Sequence, residues 1–212
     1  IPYVNAMKPN YSSNSETWNY TVNPIYVPES YTARGFLSNT VAELWAAYDL
    51  KSLYTTGING AGETVVIVDA YGSPTINQDL LAFIQWQNLH GPNLPWTTMQ
   101  EVQNHLTIYY PTGQPTFNPR NMPHDEIGWS IETTLDVDMA HAIAPAANIA
   151  LVVASTPAGN NINLAVNYAV ANHLGAVISQ SFGIPEYLLK GNNAQVMQAH
   201  FNYLLASQPS YD

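Results

Sequence analysis

The apolar positions of the chain fall into short continuous runs separated by stretches of helical period. Residues 65–68, all β-branched and followed by Asp69, read as a strand buried on both faces, the pattern of a parallel sheet. Residues 149–153 read as another buried strand and 176–178 as a strand, and a further short strand is expected around 106–110. Between these runs the period is helical. Residues 40–52 present Val41, Leu44, Trp45 and Tyr48 on one face, and residues 76–89 present Leu80, Phe83, Ile84 and Gln87. Residues 163–174 present Leu164, Val166, Tyr168 and Val170, with Gly175 placed as a C-cap, and a last helix is expected over 192–207. Gly57, Gly60 and Gly62 mark a turn, whereas 90–127 is Pro-rich and polar and is expected to be a long loop walling a cleft. Residues 1–40 show no period. Strand alternating with helix predicts an α/β fold: a mainly parallel sheet with helices on both faces.

The most informative stretch is 128–145. Ile131, Leu135, Met139 and Ile143 recur at i, i+4 and predict an apolar stripe facing the core. Glu132 and Asp136 share that spacing on the adjacent face, so both carboxylates are expected one turn apart at the edge of the buried side. Two like charges so placed cost a helix roughly 0.2–0.5 kcal/mol. Solvent, a counter-charge or a shared proton must compensate, and a shared proton is what acid–base chemistry uses. The plain alternative is a solvated acidic face. Asp69 poses a similar choice: a strand-end carboxylate capping a turn, or a site residue at the carboxyl end of a parallel strand, where open α/β sheets place their ligands. Asp125 reads as a helix N-cap with Glu126 in the first turn, and His141 as a packed core histidine. His124, Asp125, Glu126 and His141 match no strong metal spacing.

Composition narrows the function. The 212 residues carry 15 acidic and 5 basic side chains, a net charge of −10, which sets nucleic acid and anionic membranes aside as partners. Without cysteine there is neither disulfide nor thiolate chemistry. Only 9% of residues are charged, so few ion pairs are lost in acid, a composition compatible with an acidic exterior. No apolar run approaches the ~20 residues of a membrane span. Asn10-Tyr11-Ser12 and Asn19-Tyr20-Thr21 are glycosylation sequons that would fit an exported protein, and the opening at Ile1 without a charged leader suggests that any targeting segment has been removed.

Three passages together resemble the sedolisin family of serine-carboxyl peptidases. The first is Glu132 to Asp138, E-T-T-L-D-V-D, followed by A-I-A-P-A-A-N-I from Ala142. The second is D-L-K-S-L-Y from Asp49, leading into G-I-N-G-A-G-E-T-V-V-I-V-D-A-Y-G from Gly57. The third is Ser179-Gln180-Ser181-Phe182-Gly183, with Pro185-Glu186 after it. The resemblance implies a subtilisin-like fold in which Glu132 stands where subtilisin has its histidine. Glu132 would be the general base, Asp136 its support, and Asp69 an acidic extension of the relay. Ser179, Ser181, Phe182 and Gly183 would line the cleft and pair with an extended substrate. The family's usual aromatic at Phe182 is tryptophan, and phenylalanine has no N–H to donate. An imidazole is almost fully protonated near pH ~4 and cannot accept a proton, whereas a glutamate with a somewhat raised pKa still can.

The resemblance covers roughly residues 41–206. The family's later motifs, a G-D-x-G turn with the oxyanion aspartate and a G-T-S passage with the nucleophilic serine, do not occur among these 212 residues. The expectation is therefore an N-terminal arm or propeptide remnant over 1–40 and the N-terminal half of a peptidase domain over 41–212. The partner would be the C-terminal half of the same precursor, held non-covalently, since this chain alone is expected to be inactive and unstable. The family implies calcium, with ligands outside this chain, a protein or peptide substrate, and an acidic extracellular or cell-surface location. Two alternatives remain open: an inactive extracellular scaffold or surface protein with the same fold, and an unrelated hydrolase using Glu132 and Asp136 with a metal.

Overall fold

The computed structural model describes residues 40–117 and 124–183, with Gln195 and Ala199 beyond them. Gln195 and Ala199, within the final helix expected over 192–207, are helical; the rest of that stretch, the sequons, and Pro185-Glu186 lie outside the described residues.

The apolar runs become four strands: β1 (Thr64–Ala70), β2 (Leu106–Tyr109), β3 (Asn148–Ala154) and β4 (Val177–Ser179). They form one sheet in the order β2-β3-β1-β4, and every pairing is parallel. β1 and β3 pair along their whole length, from Thr64 opposite Asn148 to Ala70 opposite Ala154. β4 pairs with the other side of β1, Val65 opposite Val177 and Ile67 opposite Ser179. Strands buried on both faces need no polar alternation, and positions 66–70 of β1 are all buried. Two cores result. Ile67, Leu151 and Val153 pack with Leu80, Phe83 and Val137, while Val66, Val68, Val152 and Ala154 pack with Ile162, Ala165, Val166 and Ala169. The fold is thus α/β, a parallel sheet with helices on both faces. Because side chains alternate along a strand, Asp69 belongs to the face of Val65 and Ile67.

The helices are α1 (Val41–Ala47), α2 (Leu50–Thr55), α3 (Ile76–His90), α4 (Met99–His105), α5 (His124–Ile143) and α6 (Gly159–Ala171). α3 buries Leu80, Phe83, Ile84 and Gln87, the face its spacing predicts. Elsewhere the structure corrects the expectation. The helix expected over 40–52 is two helices, broken where Asp49 takes a left-handed conformation (φ 50°), which leaves Tyr48 71% exposed. The loop expected over 90–127 contains α4, started by a reciprocal capping box between Thr98 and Glu101. α6 begins at Gly159 rather than near 163, and its buried face is Ile162, Ala165, Val166 and Ala169, with Leu164 turned outward. Asn172, not Gly175, caps that helix. Gly175 serves close approach instead, since a Cβ there would strike the Thr64 carbonyl oxygen.

α5 is the largest correction. Its buried residues are Ser130, Thr133, Thr134, Val137, Asp138, His141 and Ala142. Ile131, Leu135 and Met139 are only half-buried, and Ile143 is 37% exposed. The helix therefore turns a largely polar face to the core. Its C-terminal end, where helix carbonyls lack intrahelical donors, is held by the Trp45 indole donating to the Ala142 carbonyl (2.7 Å) and the Tyr54 hydroxyl donating to the Ile143 carbonyl (2.6 Å).

Candidate functional site

Glu132 and Asp136 lie one turn apart on α5, and α5 packs on β1 from the sheet face that Asp69 shares. Asp69, next to last in β1, is wholly buried. The chain then leaves the strand through Tyr71 and Gly72, both with positive φ (58° and 70°), a conformation costly for tyrosine. The Tyr71 amide still donates to the Ala154 carbonyl at 2.8 Å, so the strand end stays paired through the strained turn.

Three carboxyl groups are thus graded by depth. Glu132 is partly exposed, Asp136 is half-buried and Asp69 is buried. Burial in low dielectric disfavours the charged form and the neighbouring carboxylates add repulsion. Burial, then Asp136 and more weakly Glu132, push Asp69 up to about 7. Thr133 offsets part of that rise, although no partner completes a hydrogen bond with either Asp69 oxygen. Glu132 is raised by burial and by Asp136. Asp136 is raised by burial, and the Ser181 hydroxyl pulls it back by donating toward the carboxylate. One proton or more is therefore retained among the three groups in mildly acidic water, and Glu132 is the member that reaches solvent.

Glu132 opens on a cleft of about 510 Å³ lined also by Asp125, Gly128, Trp129, Pro157, Ser181, Phe182 and Gly183. Of the residues expected at the site, Glu132, Ser181, Phe182 and Gly183 stand on this wall, and Asp136 and Asp69 stand behind it. Ser179 does not line it. It ends β4, half-buried and level with Ile67. Ser181 and Gly183 are exposed just past the strand, so their backbone groups are open to an extended ligand.

Several neighbours were not singled out from the sequence. Trp129 sits one turn before Glu132 and Thr133, so the helical spacing already placed it on the same side. Tyr71 lies near Asp125 and Glu126, whose charges, after burial, raise its phenol. Asp125 is inside the first turn of α5 rather than its N-cap, because the helix begins at His124. His141 is a buried core histidine stacked on Trp96 at 4.0 Å. Among the described residues no three His, Cys, Asp or Glu side chains gather into a metal site. None of the described helices is long and apolar enough to cross a membrane.

No family model matches the chain, and no curated protein does. Among solved structures the chain is similar to Pseudomonas sedolisin, a serine-carboxyl proteinase complexed with two molecules of pseudo-iodotyrostatin, at 19% identity and a TM-score of 0.46. That match covers 73% of this chain and 38% of the proteinase chain, so this chain spans well under half of its neighbour's length.

Proposed function

We propose that this chain supplies the acid–base half of an acid-active serine-carboxyl endopeptidase with a subtilisin-like fold. The observation that carries the reading is the graded cluster of Glu132, Asp136 and Asp69 at the carboxyl end of the central strand, opening on a cleft beside an exposed segment. A serine hydroxyl from polypeptide outside residues 1–212, most simply the C-terminal half of the same precursor held non-covalently, attacks the scissile carbonyl. Glu132 takes the hydroxyl proton and returns it to the leaving amine. Burial, and after it the charge of Asp136, raise the proton affinity of Glu132, and Asp136, with Asp69 behind it, holds its orientation. Ser181, Phe182 and Gly183 receive the extended substrate, with Trp129 as the opposite wall. The calcium that the family resemblance implies would take its ligands outside this chain, and no step here runs through a metal. Acidic surroundings outside the cell suit a base of this kind and a surface with so few cations.

Hydrolysis of an unfolded protein near pH ~4 by the complete gene product tests this. Glu132→Gln keeps the shape but cannot accept the proton, and should lower kcat by roughly 10²–10⁴. Turnover unchanged in that variant would overturn the assignment. Absence of turnover in the unsubstituted gene product would instead favour a non-catalytic protein that retains the fold.

A further inference from the structure

Away from the cleft, a second pair of carboxyl groups is enclosed where α5 meets α3. Asp138 is fully buried, and neither of its oxygens meets a hydrogen-bond donor. Asp79 on α3 is 5% exposed, and its Oδ2 accepts from the hydroxyls of Thr75 (2.8 Å), Ser73 (3.2 Å) and Thr134 (3.5 Å). Thr134 stands one turn before Asp138, so the Asp79 carboxyl closes on the same flank of α5.

Among the described residues, the titratable groups around the pair supply no cation. α3 contributes Asp79, β1 contributes Asp69, and β3 contributes none. α5 itself contributes Glu132 and Asp136 toward the cleft and His141 one turn beyond Asp138. The His141 ring shares Nε2 with the Pro95 carbonyl (3.2 Å) and leaves Nδ1 without a partner, and His105 stacks on the same Trp96 ring. Burial, opposed by the Pro95 carbonyl, lowers His141 to about 4, so it is neutral over most of the acid range. Lys51, the one lysine or arginine among the described residues, is exposed on α2.

Two buried carboxylates without a cation cannot both ionise without a large penalty. We infer that Asp79 and Asp138 form a proton-binding pair that locks α5 onto α3 in acid and loosens that contact as the pH rises toward neutrality. A proton on Asp138 removes an orphaned buried anion on the flank of α5 that meets the Asp79 carboxyl through Thr134. Since α5 also carries Glu132 and Asp136, the lock fixes the position of the cleft carboxylates without touching a substrate.

Burial raises both groups, Asp138 the more, and the Asp79 charge adds to the rise at Asp138, while the Thr75, Ser73 and Thr134 hydroxyls oppose the rise at Asp79. A carboxyl raised in the folded state binds its proton more tightly there than in the unfolded chain. Its stabilisation is therefore complete in acid and is lost as pH rises through the folded value. His141 acts in the opposite sense, favouring the fold as pH rises between about 4 and 6.5. The raised aspartates outnumber it, so net stability falls with rising pH.

Thermal unfolding of the full-length gene product, with Asp138→Asn and Asp79→Asn, from about pH 4 to about pH 8 reads this directly. The unsubstituted midpoint should fall across the range. Each variant should flatten that fall, leaving the share due to Asp69 in place, and the double variant should flatten it no more than the larger single effect. Variant curves running parallel to the unsubstituted one would overturn the pair. If Asp138→Asn does not fold, infrared titration of the buried carboxylic acid in the unsubstituted protein and in Asp79→Asn decides. The Asp138 signal should ionise at lower pH once its neighbour is uncharged, and an unmoved titration would overturn the coupling.

Discussion

Ser181 shows how one hydroxyl can set the chemistry of its neighbours. It is exposed on the cleft wall, yet its hydroxyl is what opposes the burial-driven rise of Asp136. Removing it in Ser181→Ala leaves desolvation unopposed, so the Asp136 pKa should rise. Carboxyl-resolved NMR titration would show it. An Asp136 titration unchanged by Ser181→Ala would mean the hydroxyl points elsewhere in solution. Phe182 poses the complementary case. It packs with the second core as a partly buried ring and offers no donor to the acidic cluster. The raised proton affinity of the site therefore comes from burial and repulsion, against which the Thr133 and Ser181 hydroxyls act.

At the scale of elements, the C-terminal end of α5 depends on two distant side chains. Trp45→Phe removes the donor to the Ala142 carbonyl and should cost about 1 kcal/mol in chemical unfolding. A cost indistinguishable from zero would show that water replaces the indole. Gly175→Ala sets a methyl group against the Thr64 carbonyl at the start of the central strand, and overpacking of that kind costs about 1–3 kcal/mol. The strands were legible because a short β-branched run buried on both faces has few other uses, and α3 because its apolar spacing and its burial coincide. α5 was legible as a helix but not in its rotation. Its apolar residues repeat as cleanly as those of α3, yet the face it buries is Ser130, Thr134, Asp138 and His141. Asp79, far away in sequence, meets that face through the Thr134 hydroxyl. The Glu132–Asp136 pair could be read because i, i+4 spacing is local. Asp79 with Asp138 could not, because their meeting depends on tertiary packing. α4 had a local signature in Thr98 and Glu101, hidden by the prolines around it.

The whole molecule combines a net charge of −10, from 15 acidic against 5 basic side chains, with three buried aspartates at 69, 79 and 138. Self-repulsion grows as carboxylates ionise, and the buried groups add to that trend. For Asp69 alone, the rise from 3.8 to about 7 corresponds to about 4 kcal/mol of stability present in acid and lost as pH climbs through that window. The same burial that makes the chain favour acid keeps protons at the strand end where Glu132 would use them. The central claim is that Glu132, Asp136 and Asp69 titrate as one coupled cluster. Its most direct test is a residue-resolved titration of the Asp69 carboxyl in the full-length gene product, beside Asp136→Asn and Glu132→Gln. The coupling predicts an apparent pKa near 7 for Asp69, lowered by Asp136→Asn and to a lesser degree by Glu132→Gln. An Asp69 that titrates near the ordinary value of about 3.9, unmoved by either substitution, would contradict it.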